Sequence, residues 1–136
     1  MVATKILVDS TIWSKFLRRK YHEENKEIID QLNALIRASR AVIIGAVRQE
    51  ILSGVPDNNV FNDLKSKLSI FSDHIVETVN YELAAEYFNI CRKHGIQGST
   101  TDFLICAVSV RFEIFTEDKD FLNYKQCLPI KLYKTE

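Results

Sequence analysis

Lys5-Ile6-Leu7-Val8-Asp9-Ser10-Thr11 is the stretch on which the fold turns. A short apolar run that ends on a carboxylate reads as a buried strand. Ser10 and Thr11 then supply N-cap chemistry for a helix begun by Ile12, Trp13, Phe16 and Leu17. Strand, acid, hydroxyl, helix: the order places Asp9 at a carboxyl end of a strand, where open α/β sheets build their active sites.

Apolar residues at helical spacing (Ile28, Ile29, Leu32, Leu35, Ile36) predict a helix over 23–39, and Ala41 to Ile44 a second buried strand. Residues 46–53 read as a helix stopped by Gly54 and Pro56, and 59–71 as an amphipathic helix. The β-branched run Ile75 to Val79 predicts a short strand. Helices follow over 81–93, with Gly95 as C-cap, and over 100–111. Glu113 to Thr116 predicts a strand, 118–124 a turn or short helix, and Leu128 to Tyr133 a last strand. Trp13 and Cys106 read as core. Short apolar strands alternating with helices imply an α/β fold: a mostly parallel central sheet of four to five strands flanked by helices, with right-handed crossovers. No linker or internal repeat interrupts residues 1–136, which predicts a single domain.

The chain has 136 residues, 46% hydrophobic and 26% charged, the balance of an ordinary globular domain. No apolar run approaches a membrane span, and Met1 to Lys5 leads into the first strand without signal-peptide anatomy. Cys91, Cys106 and Cys127 are odd in number and far apart, which argues against a disulfide framework or a zinc site and suits a reducing, cytoplasmic compartment. Eighteen basic and 18 acidic residues cancel. Affinity for nucleic acid must therefore come from a local patch or from bound cations.

Four acids stand out. Asp9 and Asp118 follow strands; Glu50 and Asp102 sit among apolar residues on helices that cover the sheet. A carboxylate in such surroundings is costly unless compensated. Helix-start capping is the alternative role for Asp9 and for Asp102, the latter following Ser99-Thr100-Thr101. Four acids converging at one end of a sheet would repel one another, and hard divalent cations resolve that repulsion. Such ions suit phosphodiester hydrolysis, and they reverse the local field so that a polyanion can enter.

With these residues in hand, the chain resembles the PIN-domain family. Ile6 to Thr11 is similar to the family's opening motif. Val47-Arg48-Gln49-Glu50-Ile51-Leu52-Ser53-Gly54 is similar to the second, Asp102-Phe103-Leu104-Ile105-Cys106-Ala107 to the third, and Phe115-Thr116-Glu117-Asp118-Lys119-Asp120-Phe121 to the fourth. The four stand in family order across nearly the whole chain. The Gly that often precedes the fourth motif is missing from 110–113. The compact size resembles VapC-type toxins. That resemblance implies a Mg²⁺- or Mn²⁺-dependent endoribonuclease with Asp9, Glu50, Asp102 and Asp118 as catalytic and metal-binding residues. It implies tRNA or rRNA as substrate, a homodimer, and a VapB-type antitoxin as partner. Asp120 competes with Asp118 for the fourth acidic role; Asp118, nearer the strand, is preferred.

Ser10 and Thr116 either orient a carboxylate or water, or serve as cap and turn. Lys15, Arg18, Arg19 and Lys20 form the densest basic cluster, either a solvated face or a track for an RNA backbone. Arg48 points away from Glu50 and reads as surface. His22, His74 and His94 are scattered and suggest no acid–base role. Removing any one of the four acidic charges is expected to abolish cleavage yet keep or raise stability without metal.

Rival chemistries fit poorly. A phosphoacceptor domain wants an acidic pair after the first strand and an Asp after a central one. An Asp-nucleophile phosphatase wants a second Asp where Thr11 stands. Nucleotide-binding Gly motifs do not occur. A housekeeping RNA-processing nuclease, or another small phosphoryl-handling α/β domain, stays open beside the toxin reading.

Overall fold

The computed structural model describes residues 4–134; the lead-in from Met1 to Ala3 lies outside them. Three parallel strands form the sheet: β1 (Ile6–Val8), β2 (Ala41–Val42) and β3 (Glu113–Phe115), in the order β2-β1-β3. Ile6, Leu7 and Val8 are wholly buried, as expected of the central strand of a sheet covered on both faces. The ladder runs one residue further, since the Asp9 N–H donates to the Phe115 carbonyl (3.0 Å).

Beyond these strands the described residues continue the ladder as single parallel bridges. Ile43 pairs with Asp73 on the β2 side, and Ile114 with Leu132 on the β3 side. Leu128 to Tyr133 therefore contributes one bridge rather than a strand. Ile75 to Val79 is not a strand at all. Ile75 is 78% exposed, and helix α5 (Thr78–Lys93) already begins inside the run. Ile75 and Val79 face solvent and only Val76 packs partly against the core, so burial rather than propensity decides.

The helices alternate with the strands much as expected. α1 (Ser10–Leu17) leaves β1 directly. α2 (Lys26–Arg37) leads to β2, α3 (Gly45–Leu52) and α4 (Asn58–Leu68) follow it, and α5 packs on α6 (Thr100–Val108). A short α7 (Asp120–Tyr124) follows β3. Gly54 and Gly95 take positive φ (79° and 74°) just past the ends of α3 and α5, the left-handed conformation that glycine adopts without strain. Asp57 caps α4 by accepting from the N–H groups of Asn59 and Val60.

One core holds these layers together. Trp13 is fully buried and its indole N–H donates to the Val8 carbonyl (3.1 Å), so α1 is pinned back onto β1. Cys106 and all of Phe103 to Val108 are buried on α6. Arg48 departs from its surface reading. Its guanidinium pairs with Asp73 (2.9 Å) and donates to the carbonyls of Leu68 (2.8 Å) and Phe71 (2.5 Å), clamping α3 to the end of α4. His22 and His94 bond local backbone carbonyls and His74 packs edge-on against Phe112, roles without catalytic content.

Candidate active site

The sheet delivers its acids to one end. Asp9 leaves β1 in extended conformation and is the N-cap residue of α1, yet its side chain caps nothing. The capping expected of Ser10 and Thr11 is likewise not made. Their hydroxyls turn to carboxylates instead: Thr11 donates to Asp9 Oδ2 (3.0 Å), and the Ser10 hydroxyl lies between Asp9 Oδ1 (3.2 Å) and Glu50 Oε1. A hydroxyl carries one proton, so Ser10 holds two acids together by serving one at a time. Asp9 is 3% exposed and Ser10 is buried; Glu50, read as a covered acid, is exposed. The apolar neighbours of Glu50, Val47 and Ile51, go into the core while Glu50 lies on the open side of α3.

Thr116 performs both of its expected roles. Its hydroxyl donates to Asp9 Oδ2 (2.5 Å) and accepts from the Asp118 N–H (2.9 Å). Thr11 repeats the arrangement, accepting from the Glu117 N–H (3.3 Å) while donating to the same oxygen. Two threonines thus tie the loop after β3 to the carboxylate after β1. The Asp120 N–H donates to Asp118 Oδ1 (2.9 Å), which starts α7.

Asp102 comes from α6. Ser99 caps α6 by accepting from the Asp102 N–H (3.0 Å), and this sets the acid in the first helical turn. Asp102 retains 9% exposure. Burial pushes its carboxyl up to about 6, and the charges of Asp9 and Asp118 push the same way; hydrogen bonds from Tyr124 and Ser99 pull it back.

Carboxylate oxygens of Asp102, Asp118 and Asp120 all lie within 4.8 Å of one another. Asp118 and Asp120 both face Asp102. Asp9 and Glu50 stand outside this trio. Asp9 joins it through the field it exerts on Asp102, and Glu50 joins Asp9 through Ser10. An all-oxygen donor set of crowded carboxylates matches the preference of hard divalent cations.

One residue was not singled out from the sequence. Tyr124 is fully buried and its hydroxyl donates to Asp102 Oδ2 (2.6 Å). Burial first, and then Asp102, raise the phenol above its usual range, so it remains a donor. Gly98 makes the room: a Cβ there would lie 2.4 Å from the Tyr124 hydroxyl. A tyrosine in a five-residue helix beside a proposed acid was the only available signal.

Of the basic cluster, Lys15 pairs with Glu117, next to the acids. Arg18, Arg19 and Lys20 border a cleft with Lys67.

A family model for the PIN domain matches residues 6–126. Two solved structures share the fold. The crystal structure of FitAcB from Neisseria gonorrhoeae aligns with TM-score 0.74 at 17% identity, covering 96% of this chain and 97% of that one. The structure of FitAB bound to an IR36 DNA fragment aligns with TM-score 0.72 at 18% identity, covering 94% and 93%. No curated protein matches the chain.

Proposed function

Because the chain belongs to the PIN-domain family, whose members are nucleases, we propose that it is a metal-dependent endoribonuclease and the toxin of a VapBC-type toxin–antitoxin pair. The observation that carries this reading is the carboxylate trio of Asp102, Asp118 and Asp120, with Asp9 and Glu50 beside it, at the carboxyl end of a parallel sheet. In this reading Asp9, Asp102 and Asp118 hold Mg²⁺ or Mn²⁺, with Asp120 as a further ligand and Glu50 completing the acidic wall. When bound, such a cation activates water and neutralises charge on a phosphoryl group.

The protein's own part is positioning. Ser10, Thr11 and Thr116 fix Asp9, and Tyr124 fixes Asp102, so neither acid has to be ordered when substrate arrives. Lys15, beside the acids, and the cleft bordered by Arg18 and Arg19 are where the phosphate backbone of an RNA would lie in this reading. The antitoxin partner draws support from the likeness to VapC toxins and from the FitAB structures; the homodimer and the tRNA or rRNA target rest on that likeness, and a cytoplasmic location on the cysteine pattern. Among the described residues, no helix is long and apolar enough to cross a membrane.

Purified protein incubated with total RNA and Mn²⁺ or Mg²⁺, followed by mapping of new 5′ ends, tests the proposal. Discrete cuts in tRNA or rRNA, lost in chelator and in Asp118→Asn, are expected. Metal-dependent cuts that only trim precursors to mature ends would shift the role to RNA processing. No cuts in any metal would overturn the nuclease.

A further inference from the structure

We propose that Cys91 and Cys127 are a reactive dithiol that peroxide-class oxidants convert to an intramolecular disulfide. The two lie 36 residues apart in sequence, and their sulfurs are 3.0 Å apart in the fold, with both thiols free. That is inside ordinary non-bonded contact, and a disulfide at about 2.05 Å asks the sulfurs to close by roughly 1 Å. Cys91 sits in the last turns of α5 and is fully buried. Cys127 is partly exposed in the turn after α7, where its N–H donates to the Tyr124 carbonyl (3.1 Å). The turn can supply the small movement; the helix need not.

The asymmetry in exposure orders the chemistry. Burial pushes the Cys91 thiol up to about 12, so the accessible Cys127 meets the oxidant first. The Cys127 sulfur attacks hydrogen peroxide. The O–O bond breaks, an S–O bond forms, and the released hydroxide takes the thiol proton and departs as water. Cys127 is now a sulfenic acid, oxidised by two electrons. The Cys91 sulfur, already in contact, attacks that sulfur. The S–S bond forms, the S–O bond breaks, and hydroxide leaves with the Cys91 proton as a second water. Two thiols and one peroxide give one disulfide and two waters. The product ties the end of α5 to the turn three residues beyond Tyr124. The inference stands on thiol geometry and does not depend on the nuclease reading.

The test treats the purified chain with a few equivalents of hydrogen peroxide, alkylates it in denaturant and digests it with trypsin. The three thiols fall in separate peptides, 68–92, 94–111 and 126–131. Mass spectrometry is expected to show 68–92 linked to 126–131, reversed by dithiothreitol, with Cys106 still alkylated. The link disappears in Cys127→Ser, and the oxidised wild-type chain melts several degrees above the reduced one. Cys91 alkylated after Cys127 has been oxidised further, a Cys91–Cys106 link, or only intermolecular Cys127 disulfides would each overturn the proposal.

Discussion

Asp9 and Asp102 are both buried carboxylates, but the protein solvates them differently. Three hydroxyls converge on Asp9, from Ser10, Thr11 and Thr116. Asp102 meets the Tyr124 hydroxyl against burial and two neighbouring charges, and its carboxyl rises from 3.8 to about 6. A folded pKa above the unfolded one means that the metal-free native state binds more protons between about pH 4 and 6. Stability from this group therefore falls as pH rises through that window and stays lower above it, by at most about 3 kcal/mol. Asp102→Asn in chelator is expected to melt a few degrees above wild type at pH 7.5, with the difference gone near pH 3.5. A lower melting temperature at pH 7.5 would contradict this. The sequence reading expects all four charge-removing variants to behave alike, but the hydrogen bonds divide them. Asp9→Asn turns an amide toward hydroxyl donors and is expected to lose about 1–3 kcal/mol in the same chelator melts. Tyr124→Phe keeps the ring but leaves Asp102 Oδ2 without its donor. Calorimetric titration is expected to show Mn²⁺ affinity about 10–100-fold weaker in a chain that stays folded; unchanged affinity would remove Tyr124 from the site.

At the scale of elements, the loop after β3 is held by side chains more than by secondary structure. Thr11 and Thr116 bridge it to Asp9, and Asp118 starts α7. Elsewhere Arg48 joins α3 to the end of α4, so Arg48→Met is expected to cost about 2–4 kcal/mol in urea denaturation by leaving two carbonyls and Asp73 unpaired. A change within 0.5 kcal/mol would return Arg48 to the surface. The strands that position the site were legible because each is an apolar run that stops on or before an acid. Ile75 to Val79 misled because a β-branched run looks the same whether or not something covers it. The acids were legible as types at strand and helix ends. Their partners were not: Tyr124 depends on the space that Gly98 leaves, and Ser10 on Glu50, 40 residues away. The contact between Cys91 and Cys127 is likewise invisible in their spacing, which is blind to what the fold brings together.

For the whole molecule, a net charge of zero leaves no long-range attraction for a polyanion. A site whose protein ligands are all acidic can accept phosphate only if cations invert its field. The chemistry of the site depends on that cation. Room-temperature electron paramagnetic resonance of free Mn²⁺, titrated with the purified chain, measures it without requiring cleavage. The wild-type chain is expected to remove Mn²⁺ from solution saturably and release it to excess Mg²⁺, whereas a folded Asp102→Asn, Asp118→Asn double variant leaves it free. Equal Mn²⁺ binding by wild type and double variant, or none by either, would contradict the assignment of the metal site.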